Sequence, residues 1–351
     1  MFFQSFSATR ATTPTNTAMA KILLIGDPHL KITKFQMSME FLRWILSLVL
    51  QEKPDIVINL GDTFDTHSVI RSEVMSEFMA NVYEITKHSE YFYIVGNHDM
   101  YKPNDIKYHA LSHLKNKIDK FTVVDDTLEL ENMTMVAFKH EDSLFPSKTR
   151  DLCFAHQTFS GANLGEIVSY SGVDQKLVSA DLIFSGHIHK RQKCGDKVYY
   201  VGTPFAQSAS DVDMIKGVTI LDSETYEQRF IPSPFPLWKS ASFDVGVDIS
   251  LQDIGNHISA MCAGSKDHWI IDLSGPKAEI VSYLNSSAHK ELIKSGASIR
   301  IRSKFTDSNK ISKKISAFSV EGAITDYIDK FYDGSLNKGT LLEKTIELLN
   351  T

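Results

Sequence analysis

The sequence predicts an α/β fold with a smaller second domain, and three observations carry that prediction. From Lys21 to Leu221, short apolar runs alternate with longer stretches of amphipathic period. Several runs end at a glycine followed at once by Asp, Asn or His. Past Phe230 the texture changes, with Pro232, Pro234 and Pro236 alternating through a short stretch. That spacing suits an extended connector, because proline cannot donate to a helix or a central strand.

The apolar runs are Ile22–Ile25, Ile56–Leu60, Tyr91–Val95, Met133–Phe138, Leu152–Ala155, Leu182–Phe184, Val198–Val201 and Val218–Leu221. They are short and rich in Val, Ile, Phe or Tyr, as strands covered on both faces must be. Phe35–Glu52 and Val69–His88 carry helical patterns between the first three. Beyond the prolines, Ser242–Val247 reads as a strand and Leu251–Cys262 as a helix. Trp269–Leu273 reads as a strand, Lys277–Lys294 as a broken helix and Ser298–Lys304 as a strand.

Residues 307–319 read as a polar linker. In 320–351, Val320, Ala323, Ile324, Tyr327, Ile328 and Phe331 recur at helical spacing, and a second short helix follows Gly334. Residues 1–18 are rich in Ser and Thr, a composition shared with transit peptides. The simpler reading is an unstructured extension from an upstream start, with Met19 opening the folded chain. The domains expected are therefore a core over 19–235, a capping unit over 236–306, the linker and a helical tail.

Composition excludes some functions. No apolar run approaches the roughly 20 residues that span a bilayer. Cys153, Cys194 and Cys262 are far apart and odd in number, which fits free thiols in a reducing, cytoplasmic compartment and excludes a disulfide framework. The net charge of −6 argues mildly against nucleic acid, but local distribution outweighs the sum.

The chemistry is in five clusters, each directly after a strand-like run. They are G-D-P-H (Asp27, His29), G-D-T-F-D (Asp62, Asp65), G-N-H-D (Asn97, His98, Asp99), His156, and G-H-I-H (His187, His189). In α/β sheets ligands gather outside the carboxyl ends of strands, so these clusters can converge. Carboxylate, carboxamide and imidazole together suit manganese, iron or zinc, and the lack of thiolate excludes a structural zinc site. Two ions about 3.5–4 Å apart can clamp the attacking and leaving oxygens of a displacement at phosphorus.

G-D-P-H, G-D-T-F-D, G-N-H-D, the histidine of A-H-Q-T-F-S-G and G-H-I-H, complete and in order, resemble the calcineurin-like metallophosphoesterase signature. The resemblance implies a sandwich of β-sheets flanked by helices. It implies one metal on Asp27, His29, Asp62 and His189, and a second on Asp62, Asn97, His156 and His187, with manganese preferred. His98 would contact the scissile phosphate and assist the leaving group. Asp65 stands where many members place the carboxylate that orients this histidine, although some have a histidine there. His67 could share the role, but a solvated turn histidine is the simpler reading. Ser/Thr protein phosphatases carry G-D-x-x-D-R-G and G-N-H-E, which this chain does not match.

Within the superfamily the chain resembles SbcD-like nuclease subunits of double-strand-break processing complexes, and V-Y-Y-V-G-T-P is most like bacteriophage forms. This implies a DNA exonuclease and endonuclease in repair, recombination or replication, in the host cytoplasm if phage-encoded. It also implies a homodimer through helices such as Val69–His88, and an SbcC-like ATPase whose coiled coil is gripped by Ile324, Tyr327, Ile328 and Phe331. The alternative for the tail stripe is docking on its own core. For DNA contact, Arg300, Arg302 and Lys304 alternate with Ile299 and Ile301, so a strand presents all three on one face. A charge-guarded edge strand would look the same. Lys190, Arg191 and Lys193, directly after G-H-I-H, are better placed to meet a DNA backbone near the metals. Another phosphoesterase and a non-catalytic clamp are the alternatives.

Overall fold

The structure is a computed structural model that describes residues 19–305 except 66, 68, 103, 116, 166, 247–252, 263 and 295–298. Strands β1 (Lys21–Ile25), β2 (Ile56–Asn59) and β3 (Glu90–Ile94) run parallel and are joined by helices α1 (Phe35–Glu52) and α2 (Ser72–Thr86). The sheet they form has six strands. Phe121–Val124 extends it beyond β3, while Gly217–Asp222 and Gln228–Pro232 extend it antiparallel beyond β1. Pro232 ends the edge strand, where no ladder donor is needed.

A second six-stranded sheet is built around Met133–Val136, Leu152–His156, Leu182–Gly186 and Val198–Tyr200, all parallel. Period-two alternation divides the residues between layers. Ile22, Leu24, Ile56 and Ile58 face the second sheet and pack on Met133, Met135, Phe154 and Phe184. Leu23, Ile25 and Val57 face the other way, against the buried stripes of α1 and α2. Phe154 is fully buried between the sheets, so trimming it to alanine costs about 3–5 kcal/mol. The outer face of the second sheet is covered by loop residues including Phe145, Phe159, Val173 and Val178 rather than by long helices.

Helix α1 ends where Lys53 turns into the left-handed region at φ +49°, just before Pro54. The stripe of α2 (Val74, Phe78, Val82, Ile85) is used on its own core. Dimerisation would therefore need the outward face of that helix, and it stands as a proposal.

The small domain is a parallel three-stranded sheet of Trp238–Asp244, His268–Gly275 and Ile299–Phe305, with the second in the middle. Helix α3 (Ile254–Cys262) connects the first pair; α4 (Lys277–Asn285) and α5 (Ser287–Lys294) connect the second. These are the elements expected from sequence, displaced by a few residues at their ends. The expected linker, the tail and residues 1–18 lie outside the described residues.

The edge strands and hairpins were not foreseen. Met100–Lys102 with Asp105–His109, Thr127–Glu129 and Gln192–Cys194 are too short or too polar for the alternation to be visible.

Candidate metal centre

Each polar cluster leaves the carboxyl end of a parallel strand. Asp27 and His29 follow β1, Asp62 and Asp65 follow β2, and Asn97 and His98 follow β3. His156 closes Leu152–His156, and His187 and His189 follow Leu182–Gly186 in the other sheet. The backbone must turn sharply for these donors to converge. Asp27 (φ +35°), His29 (+45°), Asp62 (+49°) and His187 (+79°) are all left-handed. Non-glycine residues rarely adopt this conformation, which costs of order 1–3 kcal/mol each and persists where the surroundings over-determine it.

Two glycines allow the close approach. A Cβ on Gly96 would lie 2.3 Å from Asp62 Oδ1 and 2.4 Å from its main-chain nitrogen. One on Gly186 would lie 2.5 Å from the Leu60 carbonyl oxygen and 3.0 Å from His156 Nδ1.

The donors fall into two groups that share Asp62. Asp27, His29 and Asp62 have ligand atoms within 4.8 Å of one another, and so do Asp62, His156 and His187. His189 joins the first group, its Nε2 lying 3.0 Å from His29 Nε2. Asn97 joins the second, its Oδ1 lying 2.8 Å from His187 Nδ1 and 3.0 Å from His156 Nε2. Asp62 Oδ2 lies between, 3.3 Å from His156 Nε2 and 3.9 Å from His29 Nε2. The structure thus brings all seven expected donors together.

Hydrogen bonds orient them. Asp62 Oδ1 accepts the His98 main-chain N–H at 2.7 Å, leaving Oδ2 for the centre. Asp27 Oδ1 accepts the His187 N–H at 2.7 Å, and its buried Oδ2 has no hydrogen-bond partner. His156 Nδ1 donates to the Leu60 carbonyl at 2.7 Å, which directs Nε2 inward.

The electrostatics follow from burial. Desolvation lowers His29 and His187 to about 3, so both are neutral imidazoles with a lone pair to give. Burial raises Asp27 to about 7 against the pull of His156. For Asp62, burial opposes ionisation, but His156 and then His29 hold it well below the usual carboxylate range. Burial likewise opposes charge on His156, yet Asp62 and Asp27 push it up to about 9. The field that holds a proton there also favours a cation. An orphaned carboxylate oxygen, neutral buried imidazoles and an all-N/O donor set fit divalent metal ions.

His98 is anchored differently from expectation. Its Nδ1 donates to the main-chain carbonyl of Asp65 at 3.2 Å. The Asp65 carboxylate points elsewhere, 3.0 Å from Lys31 Nζ and 3.7 Å from His29 Nδ1. A lysine outside the motifs takes the carboxylate expected to orient His98. His67 is exposed in a bend, as expected, yet it has partners. Its ring stacks on His98 at 4.4 Å and 24°, and its Nδ1 donates to the Asn97 carbonyl at 3.0 Å.

Further support comes from residues to which the motifs assign no role. Asp99 is buried and accepts from Phe64 N (3.2 Å) and Gly96 N (3.0 Å), tying the loops after β2 and β3. Burial and then Asp62 raise its carboxyl to about 7. Lys216, wholly buried, donates to Asp211 Oδ1 (3.1 Å), Thr203 Oγ1 (2.6 Å) and the His189 carbonyl (3.2 Å). Asp211 Oδ2 accepts from Gln207 N at 2.6 Å, and Gln207 Nε2 donates to the Pro28 carbonyl at 2.9 Å. This buried ion pair thereby braces the loops of His29 and His189 together. A lysine before a strand carries no sequence signal of such burial.

The expected DNA contacts divide. Arg191 is engaged inside the fold, donating to Thr219 Oγ1 at 2.7 Å and lying 4.5 Å over the Phe230 ring. Lys190 and Lys193 are exposed beside a cleft of about 430 Å³. Arg300, Arg302 and Lys304 do share one face of an edge strand, opposite Ile299 and Ile301. Arg302 is spent on Asp272 through two bonds of 2.6 Å. Ile324, Tyr327, Ile328 and Phe331 lie outside the described residues. Among the described residues no helix is long and apolar enough to cross a membrane, and the three cysteines are free and buried.

Residues 20–191 match the sequence pattern of the family described as calcineurin-like phosphoesterase. The chain is 30% identical over 199 residues to the protein named Putative phosphoesterase 244L of Invertebrate iridescent virus 6, covering 52% of this chain and 69% of that one. It is 24% identical over 305 residues to Putative phosphoesterase 078R of Invertebrate iridescent virus 3, covering 81% and 84%. It is 25% identical over 238 residues to Exonuclease subunit 1 of Enterobacteria phage T4, covering 61% and 68%.

Proposed function

The chain belongs to the calcineurin-like phosphoesterase family, and from that premise we propose that it hydrolyses the phosphodiester backbone of DNA with two divalent ions. The observation that carries this reading is the pair of donor groups joined through Asp62 Oδ2. One group comprises Asp27, His29, Asp62 and His189, the other Asp62, Asn97, His156 and His187. Manganese is preferred, since imidazole and carboxamide suit it better than magnesium. Likeness to the phage T4 exonuclease subunit supports a nucleic acid as substrate.

Two bound ions supply Lewis acidity at the phosphoryl oxygen and a nucleophilic water at neutral pH. The chain's own residues do the rest. Asp62 Oδ1 fixes the His98 main chain, and the Asp65 carbonyl accepts a hydrogen bond from His98 Nδ1–H. A carbonyl only accepts, so proton exchange at His98 is confined to Nε2. Protonated there, His98 donates to the departing oxygen as the P–O bond breaks. The stacked His67 ring holds the plane of His98. Phe138, 5.7 Å from His187 and 6.1 Å from His156, walls the second donor group with apolar surface.

Incubation with linear duplex and single-stranded DNA, in manganese, magnesium or chelator, beside bis-p-nitrophenyl phosphate, tests the reading. Manganese-dependent DNA cleavage is expected. Hydrolysis of the small diester without DNA cleavage would favour a second reading, a phosphoesterase of another substrate, which the names of the iridovirus relatives also fit. Inactivity on both would leave a clamp.

The tail stripe is proposed to bind the coiled coil of an SbcC-like ATPase, as a helix in a groove. Truncation after Thr306, or Ile324→Asp with Ile328→Asp, should abolish co-purification with that partner and spare cleavage of simple substrates. Unchanged partner affinity would place the contact elsewhere.

A further inference from the structure

Between the core and the small domain lies a cleft of about 820 Å³ that the metal centre does not use. Sequence alternation builds one wall. Trp238, His268, Ile270 and Arg300 fall on one face of the three-stranded sheet, while Ile271, Leu273 and Ile301 face α3 and α4. Trp238 and Ile270 pack on Ala206, Ala209 and Val212 of the core and so seat the domain. Arg300 lies 4.9 Å over the Trp238 ring, and the His268 ring is 4.8 Å from the same indole at 34°. Unlike Arg302, Arg300 makes no ion pair among the described residues. The opposite wall carries Lys34, whose ammonium donates to the Ala206 and Gln207 carbonyls.

Two residues lining this cleft each carry a buried atom with no hydrogen-bond partner, Gln207 Oε1 and His268 Nδ1. Gln207 is only 8% exposed. A buried polar atom left unpaired costs about 1–3 kcal/mol, so it requires an explanation. The other end of the same amide donates to the Pro28 carbonyl, between Asp27 and His29. One side chain therefore spans from the cleft to the loop that holds two metal donors.

Cations on both walls call for phosphate. A guanidinium over an indole, with an imidazole tilted beside it, offers π surface to a base, and an amide oxygen without a partner can accept from a base N–H. The volume is within the roughly 300–1,000 Å³ of small-ligand sites, too small for a duplex whose major groove alone is about 12 Å wide. We propose that this cleft is a subsite for one to a few unpaired nucleotides of the DNA strand whose scissile bond is at the metal centre. Arg300 and Lys34 take phosphates, the Arg300–Trp238–His268 group meets a base, and Gln207 Oε1 accepts from it. This rests on the nuclease reading above.

The test uses the full chain in chelator, so that nothing is cleaved, with a fluorescein-labelled single-stranded 12-mer and a blunt duplex followed by anisotropy. Arg300→Gln with His268→Gln should weaken the single strand about fivefold or more and lower its salt slope by about 0.7. The duplex should move less than about twofold. Arg300→Lys keeps the charge and loses the guanidinium over the indole, and should fall between; it also serves should the double variant misfold. Equal loss for both DNAs, or no loss, overturns the subsite. Wild-type cleavage of DNA in manganese, measured in parallel, separates the outcomes. Cleavage with unchanged variant binding sinks the subsite alone, whereas a wild type that neither binds nor cleaves DNA sinks both.

Discussion

The metal centre and the basic face of the small domain are both built from charged and polar side chains on parallel strands, but under opposite constraints. At the centre, Asp27, His29, Asp62 and His156 are almost wholly buried, and Asp27 Oδ2 and His29 Nδ1 have no hydrogen-bond partner there. On the small domain, Arg300, Arg302 and Lys304 are open to solvent, and one of the three has already found a carboxylate. Burial makes a polar group costly unless it is satisfied, so a cluster of buried donors points to what completes it. An exposed charge is cheap and points to nothing by itself. Arg300 becomes informative only through the buried atoms beside it.

The comparison breaks first at Asp62. Asp62→Ala removes the oxygen shared by both donor groups and should lower hydrolysis of bis-p-nitrophenyl phosphate by about 10⁴-fold or more, beyond the loss of one acid–base group. Activity near wild type would end the two-ion reading. His98→Ala should cost about 10²–10⁴-fold in turnover while elemental analysis still finds the metal content of wild type. Metal lost in proportion to activity would make His98 a ligand.

Lys216→Met sharpens the contrast because it lies behind the donors. Calorimetric titration with manganese should show affinity reduced about 10–100-fold, as for other supports of metal ligands. Leaving Asp211 buried without its partner should also cost about 3–5 kcal/mol of stability. Adding Asp211→Leu should restore only part of the stability, since the Gln207 N–H then loses its acceptor, and should not restore metal affinity; full recovery of both would reduce the pair to packing. The smallest effect belongs to the exposed face. Arg302→Ala should change DNA affinity by less than about twofold, since its guanidinium is engaged by Asp272. A larger loss would show the ion pair opening to admit phosphate.

What sequence could read tracks the same division. The strands were visible because Ile22–Ile25 or Leu152–Ala155 must be apolar on both faces, and α1 because its stripe runs unbroken from Met39 to Val49. The donors were visible because Asp, Asn and His stand at strand ends, four of the five clusters directly after a glycine. The engagement of the Asp65 carboxylate by Lys31 and the stacking of the exposed His67 ring on His98 have no spacing signature. Arg191 was misread for a related reason. Sequence places it next to the site, but only the fold shows the Phe230 ring and Thr219 hydroxyl that engage it. Lys216 was the hardest to see, since a fully buried lysine contradicts what its residue type leads one to expect.

The left-handed backbone at Asp62 has a consequence for how the centre should be interrogated. Alanine at φ +49° must bend against its own Cβ, whereas asparagine tolerates that region better than most residues. A scan by alanine at Asp27 and Asp62 therefore mixes two losses, the missing carboxylate and the loop's reluctance to keep its shape. Asp62→Asn keeps the bend and the size and removes only the charge. The gap in metal affinity between the asparagine and alanine variants, measured on the same chain, is a direct reading of how much the shape of that loop matters to the ions it holds.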